Sequence, residues 1–210
     1  MRFTFVYETD IYIIRHGETD FNKSHRMQGR GINASLNDTG RIQAKYIAEF
    51  LKDVPITKIV TSSLNRAIES AEPLSIFFGI QTEVYPDLDE MNFGVLEGKP
   101  FEEVKQEVQF LHDNWTKGNL DIAPDKGENP KEVFKRAGSK IVEILKSSKD
   151  EHLVFMLHGR LIRILLSEWL GLGLQNMHKI EHQNGAINHL KWNNDKFEAV
   201  ELNITHHLEH

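Results

Sequence analysis

The chain has 210 residues, of which 40% are hydrophobic and 27% charged, and its formal net charge at pH 7 is −6. This length and composition predict one globular domain, with room for an insertion. The acidic balance, without any block rich in lysine or arginine, disfavours binding to nucleic acid or to a membrane surface, and the absence of cysteine excludes disulfides, thiol catalysis and cysteine-ligated metal sites.

The ends of the chain carry no predicted targeting or functional segment. No apolar stretch reaches membrane-spanning length and residues 1–5 do not begin a signal peptide, so we expect a cytoplasmic protein. Residues 208–210 resemble the start of an expression tag and are expected to have no functional role.

The first half of the chain alternates predicted strands and helices. Residues 11–14 form an apolar run that predicts a buried strand, and the run ends in Arg15-His16-Gly17. After a polar loop, Asn37 is a suitable N-cap for a helix that Pro55 terminates. Residues 58–61 predict a second strand, followed by a helix that has Arg66 in its first turn and ends at Gly79.

The second half continues the alternation. A third strand is predicted at 82–85, a loop at 88–98, a helix from 101 to 115, a polar linker at 116–128 and a helix capped by Asn129. Residues 152–157 are the strongest strand prediction and end in His158-Gly159, before another helix. Strands at 186–192 and 197–202 are joined by a hairpin turn. The alternation of strands and helices along the chain predicts an α/β fold, a three-layer α/β/α sandwich with a mostly parallel central sheet.

Three predicted strands end in groups that bind anions. Arg15 and His16 follow the first strand, Arg66 the second, and His158 the strand at 152–157. Because the carboxyl ends of parallel strands share one edge of a sheet, these side chains are expected to meet. The arginine fork matches phosphate oxygens, and phosphoryl transfer is catalysed mainly by positioning and charge stabilisation. The sequence therefore predicts a phosphate site that contains a histidine.

The motifs as a set resemble those of the histidine phosphatase superfamily, the phosphoglycerate mutase-like family. The resemblance extends from residue 15 to residue 159 and implies the fold of that family. The matching residues are Arg15-His16-Gly17-Glu18-Thr19, Asn22, Gln28-Gly29, Ser62-Ser63, Arg66, Glu90, Gly94, Glu97-Gly98, Gly127-Glu128 and His158-Gly159. Asn33 and Ser35 depart from the pattern, which commonly has aspartate and proline there; this concerns the shape of a loop rather than the chemistry.

The resemblance implies a role for each catalytic residue. His16 would be the nucleophile that accepts the phosphoryl group, while Arg15, Arg66 and a protonated His158 would hold its oxygens. Glu90 would protonate the leaving oxygen and then activate water. Three other acids compete for the role of Glu90, and its spacing to Gly94 and Glu97-Gly98 favours Glu90. The competitors are Asp89, Glu97 and Glu102.

Further residues near the motifs are assigned to ligand binding, to support of the motifs or to solvated loops. The residues expected to bind phosphate or substrate are Asn22, Gln28, Gly29 and Gly159. Glu18 is interpreted as a brace for Arg15, and Arg160 and Arg163 stay unassigned. The histidines interpreted as solvated are His25, His112 and His182. The expected ligand is a small phosphate ester, with no metal and no cofactor.

The segment after Glu90 bears on whether the chain is a hydrolase or a mutase. Members of the mutase type carry a longer basic insertion there, whereas residues 99–126 contain no arginine and only scattered lysines. A phosphomonoester hydrolase of the histidine acid phosphatase type is therefore the favoured interpretation. The alternatives are a cofactor-dependent phosphoglycerate mutase, a catalytically weak phosphate-binding member of the fold, and a metallophosphatase, which would need clustered Asp and His ligands.

The domain prediction is a single domain over residues 1–207 with 95–128 as a small lid or insert. Substrate specificity is expected from 99–128 and from the loop at 182–185. An exposed strand edge would allow a homodimer.

Overall fold

The computed structural model describes residues 8–149 and 151–209. The expectation that residues 1–5 do not begin a signal peptide, and the assignment of residue 210 to a tag, lie outside the described residues. No helix in the described part of the chain combines the length and the apolar character needed to cross a membrane.

Within the described residues, six strands form one sheet in the order β3-β2-β4-β1-β5-β6. They are β1 (Thr9–Arg15), β2 (Lys58–Thr61), β3 (Glu83–Val84), β4 (His152–Leu157), β5 (Ile187–Asn193) and β6 (Lys196–Ile204). Strands β1 to β4 are parallel, whereas β5 is antiparallel to both β1 and β6. The prediction of a mostly parallel sheet is confirmed, and so is the hairpin, whose turn residues Asn194 and Asp195 have φ values of 49° and 65°.

The described chain contains α1 (Asp20–Lys23), α2 (Asp38–Phe50), α3 (Asn65–Phe78), α4 (Phe101–Thr116), α5 (Pro130–Ser147) and α6 (Gly159–Trp169). All but α1 were predicted. The single turn of α1 is too short to show a periodicity and is closed by a capping box between Thr19 and Asn22. Asn37 caps α2 by accepting a hydrogen bond from the Gly40 amide, and Gly79, with φ of 65°, ends α3 as predicted.

Two hydrophobic clusters make the layers. Ile11 and Ile13 of β1 face a cluster that contains buried residues of α4, α5 and α6. Tyr12 and Ile14 face the opposite cluster, formed with α2 and α3. Because successive side chains of a strand point to opposite faces, β1 must be apolar at every position between two helical layers. The predicted three-layer sandwich is confirmed.

The sheet register brings the predicted functional groups to one edge. Arg15 is paired with Leu157, and Thr61 with Met156, so the chain leaves β1, β2 and β4 at the same level. The residues that follow each strand, His16, Ser62 and His158, are therefore neighbours. Segment 95–128 contributes α4, whose Val104, Leu111 and Trp115 are buried in the core.

Candidate active site

A cavity of about 220 Å³ opens at this edge of the sheet. The residues that line it are Arg15, Asn22, Arg26, Met27, Gln28, Glu90, Phe93, Gly159, Arg160, Arg163 and His182. Next to it lies a larger groove of about 740 Å³, which shares Arg15, Asn22, Arg26 and Met27 with the cavity and is otherwise lined mainly by α1, the loop after it and the start of α4. Of the predicted residues, His16, Arg66 and His158 are buried beside these openings.

His16 is held as a neutral imidazole with one free nitrogen. Its Nδ1 lies 2.7 Å from the Gly17 carbonyl oxygen, to which only a protonated Nδ1 can donate. Burial lowers the pKa of His16 well below its usual value, and the charges of Arg66 and Arg15 lower it further. The proton therefore stays on Nδ1, and Nε2 keeps its lone pair, which is the state that a nucleophile needs.

Gly17 allows this turn to pack directly against α2. A Cβ atom at Gly17 would lie 2.5 Å from the carbonyl oxygen of Gly40, so no larger residue fits without moving the backbone. The Gly17 amide donates to Ser70 Oγ of α3 at 3.0 Å. The position of His16 is thus fixed by close backbone contacts with the two helices on that face of the sheet.

Arg66 is fully buried and donates three hydrogen bonds. Its Nη1 donates to the Ile32 carbonyl at 2.6 Å, its Nη2 to the Gly29 carbonyl at 3.2 Å and its Nε to His158 Nδ1 at 3.2 Å. A guanidinium has five N–H groups, so two remain for a ligand. Burial lowers the pKa of Arg66 to about 10, with Glu90 opposing the shift, and the group stays charged at neutral pH.

His158 is also neutral, in contrast to the predicted protonated state. Since its Nδ1 accepts from Arg66, the proton is on Nε2, which lies 2.6 Å from Ser62 Oγ and donates to it. Burial, followed by the charge of Arg66, lowers the pKa of His158 well below its usual value. The rings of His16 and His158 are 5.2 Å apart, so charging one of them would disfavour charging the other.

Arg15 presents its guanidinium to the cavity across Gly159. A Cβ atom at Gly159 would lie 3.3 Å from Arg15 Cζ, so the small residue lets the guanidinium lie against the backbone. Nη1 of Arg15 donates to the His182 carbonyl at 3.4 Å. Burial lowers the pKa of Arg15 to about 10, against the favourable charge of Glu90, and it too remains a cation at neutral pH.

Glu90 binds the first turn of α6 through its carboxylate. Oε1 accepts from the amides of Met91 at 2.8 Å and Leu161 at 2.9 Å, and Oε2 accepts from the Arg160 amide at 2.9 Å. The positive end of a helix stabilises a carboxylate in this position. Glu90 thereby lies in the wall of the cavity, close to Arg15 and at the start of α6.

The competing acids have other partners. Asp89 accepts from the amide and the hydroxyl of Ser63, both at 2.8 Å. Glu97 accepts from the amides of Gly31 and Phe93, both at 2.8 Å. Glu102 is exposed and lines the larger groove. Among these four carboxylates, all within the described chain, Glu90 is the one that lines the cavity with Arg15.

The remaining predicted binding residues differ in how they face the cavity. Asn22 accepts from Thr19 and Asn184 through Oδ1, which leaves its amide nitrogen for the cavity that it lines. Gln28 lines the cavity, and its Nε2 is buried without a hydrogen-bond partner among the described residues. Gly29 is not among the residues that line the cavity, and its carbonyl oxygen accepts a hydrogen bond from Arg66 Nη2.

Three interpretations from the sequence are corrected. His182 is 8% exposed rather than solvated, and its Nε2 lies 2.8 Å from the Gly159 carbonyl. Glu18 accepts from the side chain of Asn37 at 2.8 Å and does not brace Arg15. Arg160 and Arg163, left unassigned, both line the cavity. A buried histidine in a loop, and two arginines in the first turns of a helix, leave no periodic signal by which the sequence could have assigned them to the cavity.

Arg136 of α5 was missed altogether. Its five N–H groups are all used: Nε and Nη2 donate to the Glu128 carboxylate at 2.7 and 2.8 Å, and Nη1 and Nη2 donate to backbone carbonyls at 2.8 to 3.0 Å. The three carbonyls belong to Asp87, Asp89 and Glu90. Arg136 therefore fixes the loop that carries Glu90. Across residues 8–149 and 151–209, no three His, Asp or Glu side chains cluster as they would around a metal ion.

The geometry agrees with what comparison with known proteins reveals. The family model of the histidine phosphatase superfamily (branch 1) matches residues 11–205. The "Putative phosphoserine phosphatase 2" of Hydrogenobacter thermophilus is 30% identical over 194 residues, which cover 92% of this chain and 94% of that protein. The "Probable phosphoglycerate mutase GpmB" of Escherichia fergusonii is 28% identical, over 90% of this chain and 87% of its own length.

Solved structures give the same result. YhfR of Bacillus stearothermophilus superposes with a TM-score of 0.86 at 26% identity, covering 96% of this chain and 100% of the other. A mycobacterial glucosyl-3-phosphoglycerate phosphatase in complex with VO3 superposes with a TM-score of 0.83 at 26% identity, over 93% of this chain and 98% of the other.

Proposed function

The chain belongs to the histidine phosphatase superfamily, and from this premise we propose that it is a phosphomonoester hydrolase that acts on a small phosphorylated metabolite through a phosphohistidine intermediate. The observation that carries the proposal is the state of His16. A neutral ring, with Nδ1 bound to its own loop and Nε2 free, stands among buried arginines that keep unused donors.

In the first half-reaction, His16 Nε2 attacks the phosphorus atom while the bond from phosphorus to the leaving oxygen breaks. The Gly17 carbonyl holds the Nδ1 proton as positive charge develops on the ring. Arg15 and the two unused N–H groups of Arg66 bind the equatorial oxygens, where the transition state carries its charge. Because both histidine rings are neutral before the substrate binds, the positive charge that attracts a phosphate dianion comes from the arginines.

Glu90 serves the leaving group. Its Oε2 accepts one backbone hydrogen bond and so retains a lone pair that can carry a proton. The like charge of a bound phosphate dianion favours that proton, which passes to the leaving oxygen. In the second half-reaction the Glu90 carboxylate takes a proton from water, the water oxygen attacks phosphorus, and His16 is released with inorganic phosphate.

Whether a family member is a hydrolase or a mutase depends on whether water can reach the phosphohistidine. A mutase must shield the phosphohistidine and return its phosphoryl group to a bound acid. The larger groove reaches Arg15 and Asn22 from outside, and the segment 99–126 brings no arginine to it. We therefore favour hydrolysis, of the acid phosphatase type. A phosphoglycerate mutase is the second candidate, since some relatives carry that name.

The nucleophile is tested with p-nitrophenyl phosphate. His16→Ala should lower kcat by at least about a thousandfold, because the covalent route is removed. Rapid quench with labelled substrate should trap phosphohistidine on the wild type. His112→Ala is the matched control, since His112 of α4 contacts the ring of His178 and does not line the cavity. Wild-type protein without turnover or label would favour a phosphate-binding member of the fold.

The choice between hydrolase and mutase needs a second assay. We expect incubation with 3-phosphoglycerate and 2,3-bisphosphoglycerate to release inorganic phosphate with little interconversion of 2- and 3-phosphoglycerate. Rapid interconversion with little phosphate release would establish the mutase. Excess chelator should leave the rate unchanged; loss of activity would revive the metallophosphatase alternative.

A further inference from the structure

The cavity wall carries polar atoms that nothing in the described chain satisfies. Arg15 Nε, Gln28 Nε2, Arg163 Nε and His182 Nδ1 are buried without a hydrogen-bond partner among the described residues, and all four side chains line the cavity. Buried polar groups are almost always paired in folded proteins. Four such atoms on the wall of one cavity indicate a polar ligand that reaches further than the reacting phosphate at His16.

The charge of the wall exceeds what one phosphoryl group needs. Four arginines and one carboxylate line the cavity, and Arg66 is buried beside it. A phosphate dianion would offset two of the resulting four net positive charges. Arg26 already donates to the Gly98 carbonyl through Nε and Nη2, so the cavity cations that have no hydrogen-bond or ion-pair partner among residues 8–149 and 151–209 are those of α6.

Arg160 and Arg163 stand one turn apart at the start of α6 and therefore share a face of the helix. Within the described part of the chain neither forms an ion pair, and Glu181 acts on Arg163 only through its field. Arg160 is held over the ring of Trp115, 5.6 Å from its centroid, so its orientation is fixed by α4. Burial, followed by the like charge of Arg163, lowers the pKa of Arg160 to about 10, so an anion between the two guanidinium groups would relieve their repulsion.

Glu90 places Arg160 and Arg163 next to the leaving group of the proposed reaction. Its carboxylate accepts from the Arg160 amide, so the leaving oxygen that Glu90 protonates lies at the start of α6. The atoms of the leaving group beyond that oxygen then meet the two arginines. Arg15 and Arg66 are already taken by the reacting phosphoryl group.

We propose that Arg160 and Arg163 bind a second anionic group, a carboxylate or a phosphate, on the leaving group of the substrate. The substrate is then a phosphomonoester of an alcohol that is itself an anion. The inference rests on the proposed function and adds the substrate class and the residues that select it. A pair of guanidinium forks suits either anion, because both present oxygens in the matching geometry.

A matched series of three-carbon substrates tests the proposal. 3-Phosphoglycerate carries a carboxylate where glycerol 3-phosphate carries a neutral hydroxymethyl group, and glycerol 1,3-bisphosphate carries a second phosphate there. For the wild type, kcat/KM of at least one anionic substrate should exceed that of glycerol 3-phosphate by about tenfold or more. Which one does so identifies the anion.

The variants Arg160→Gln and Arg163→Gln should each reduce kcat/KM of the preferred anionic substrate by roughly 10- to 100-fold, the usual effect of losing a charge-assisted hydrogen bond, and should change that of glycerol 3-phosphate little. Arg163→Lys keeps the charge without the fork and should retain part of the preference, which also shows that the position tolerates replacement. Arg41→Gln is the control, because Arg41 is exposed on α2 and pairs with Glu69. The Arg41→Gln variant should prefer the anionic substrate as strongly as the wild type does.

Two results would overturn the second-anion site while leaving a phosphatase intact. One is a wild type that hydrolyses p-nitrophenyl phosphate but turns over all three substrates with kcat/KM within about threefold. The other is a preference that survives in both glutamine variants. A wild type that hydrolyses none of the four esters would overturn the proposed function together with this inference.

Discussion

Arg66 organises the site through the direction of its donors. One planar group reaches the backbone at Ile32 and Gly29 and sets the tautomer of His158, which in turn donates to Ser62. A lysine has three donors on a single nitrogen and cannot reach three acceptors in one plane. The guanidinium is therefore needed for its shape as well as for its charge.

Arg66→Lys should consequently be far from conservative. We expect kcat/KM for p-nitrophenyl phosphate to fall at least about a hundredfold, and the free energy of unfolding to fall by about 1–3 kcal/mol because buried acceptors lose their donors. Steady-state kinetics and urea denaturation measure the two effects. Arg41→Lys, at an exposed ion pair, should change neither. Near-wild-type kinetics of Arg66→Lys would show that charge alone suffices.

Prediction of single residues from the sequence succeeds where the strand pattern carries the information. His16, Arg66 and His158 follow buried strands, and parallel strands bring such positions together. His182 and Arg163 reach the cavity only through the packing of a loop and a helix, which no local pattern records. Glu18 illustrates the converse: its motif suggested Arg15, but the nearer donor after folding is Asn37.

At the scale of elements, α5 holds the loop that presents Glu90. Arg136 joins Glu128 to the carbonyls of Asp87, Asp89 and Glu90 with five hydrogen bonds. These partners are separated from Arg136 by up to 49 residues, so no local pattern indicates the contact. The helix itself was predicted from its cap and apolar stripe, whereas the function of its polar side was not.

Arg136→Gln should therefore act on catalysis without touching the substrate. Loss of the donors leaves Glu90 less well positioned, so kcat should fall by roughly 10- to 100-fold, with a smaller change in KM. The pH profile of kcat should shift if Glu90 moves, whereas a purely structural role would lower stability alone. Lys135→Gln, the exposed neighbour on the same helix, is the control and should behave as the wild type. An unchanged kcat in Arg136→Gln would contradict a positioning role.

The strands, and the helices long enough to show an apolar face, were predicted to within a few residues, whereas the single turn α1 was not. The helices α2 to α6 and the strands β1, β2 and β4 each have an apolar face that must be buried. The single turn α1 and the contact between Gly17 and Gly40 depend on backbone approaches of a few ångströms. Periodicity reports burial, and it cannot report which two backbones meet.

For the whole molecule, the buried histidines of the site make the free energy of unfolding depend on pH. Burial is the largest cause of the lowered pKa of His16, His158 and His182, the last to about 3, and neighbouring arginines add to it. In the unfolded chain a histidine has a pKa of about 6.5. Below that pH the histidines bind protons in the unfolded chain but stay neutral in the folded protein, so protonation favours unfolding.

The free energy of unfolding should thus decrease as the pH falls from about 7 towards 5, with a slope of up to about 1.4 kcal/mol per pH unit for each of the three histidines. The lowered pKa of His207 acts in the same direction, and the raised pKa of Glu97 acts in the opposite one, so one carboxyl opposes four imidazoles. Urea denaturation at half-unit steps of pH measures the slope. His182→Gln keeps a donor for the Gly159 carbonyl and should remove up to about one quarter of the slope, because one of the four buried imidazoles with a lowered pKa is gone. A free energy that stays level between pH 7 and pH 5 would mean that these histidines take up protons in the folded state, and His16 could not then be the neutral nucleophile.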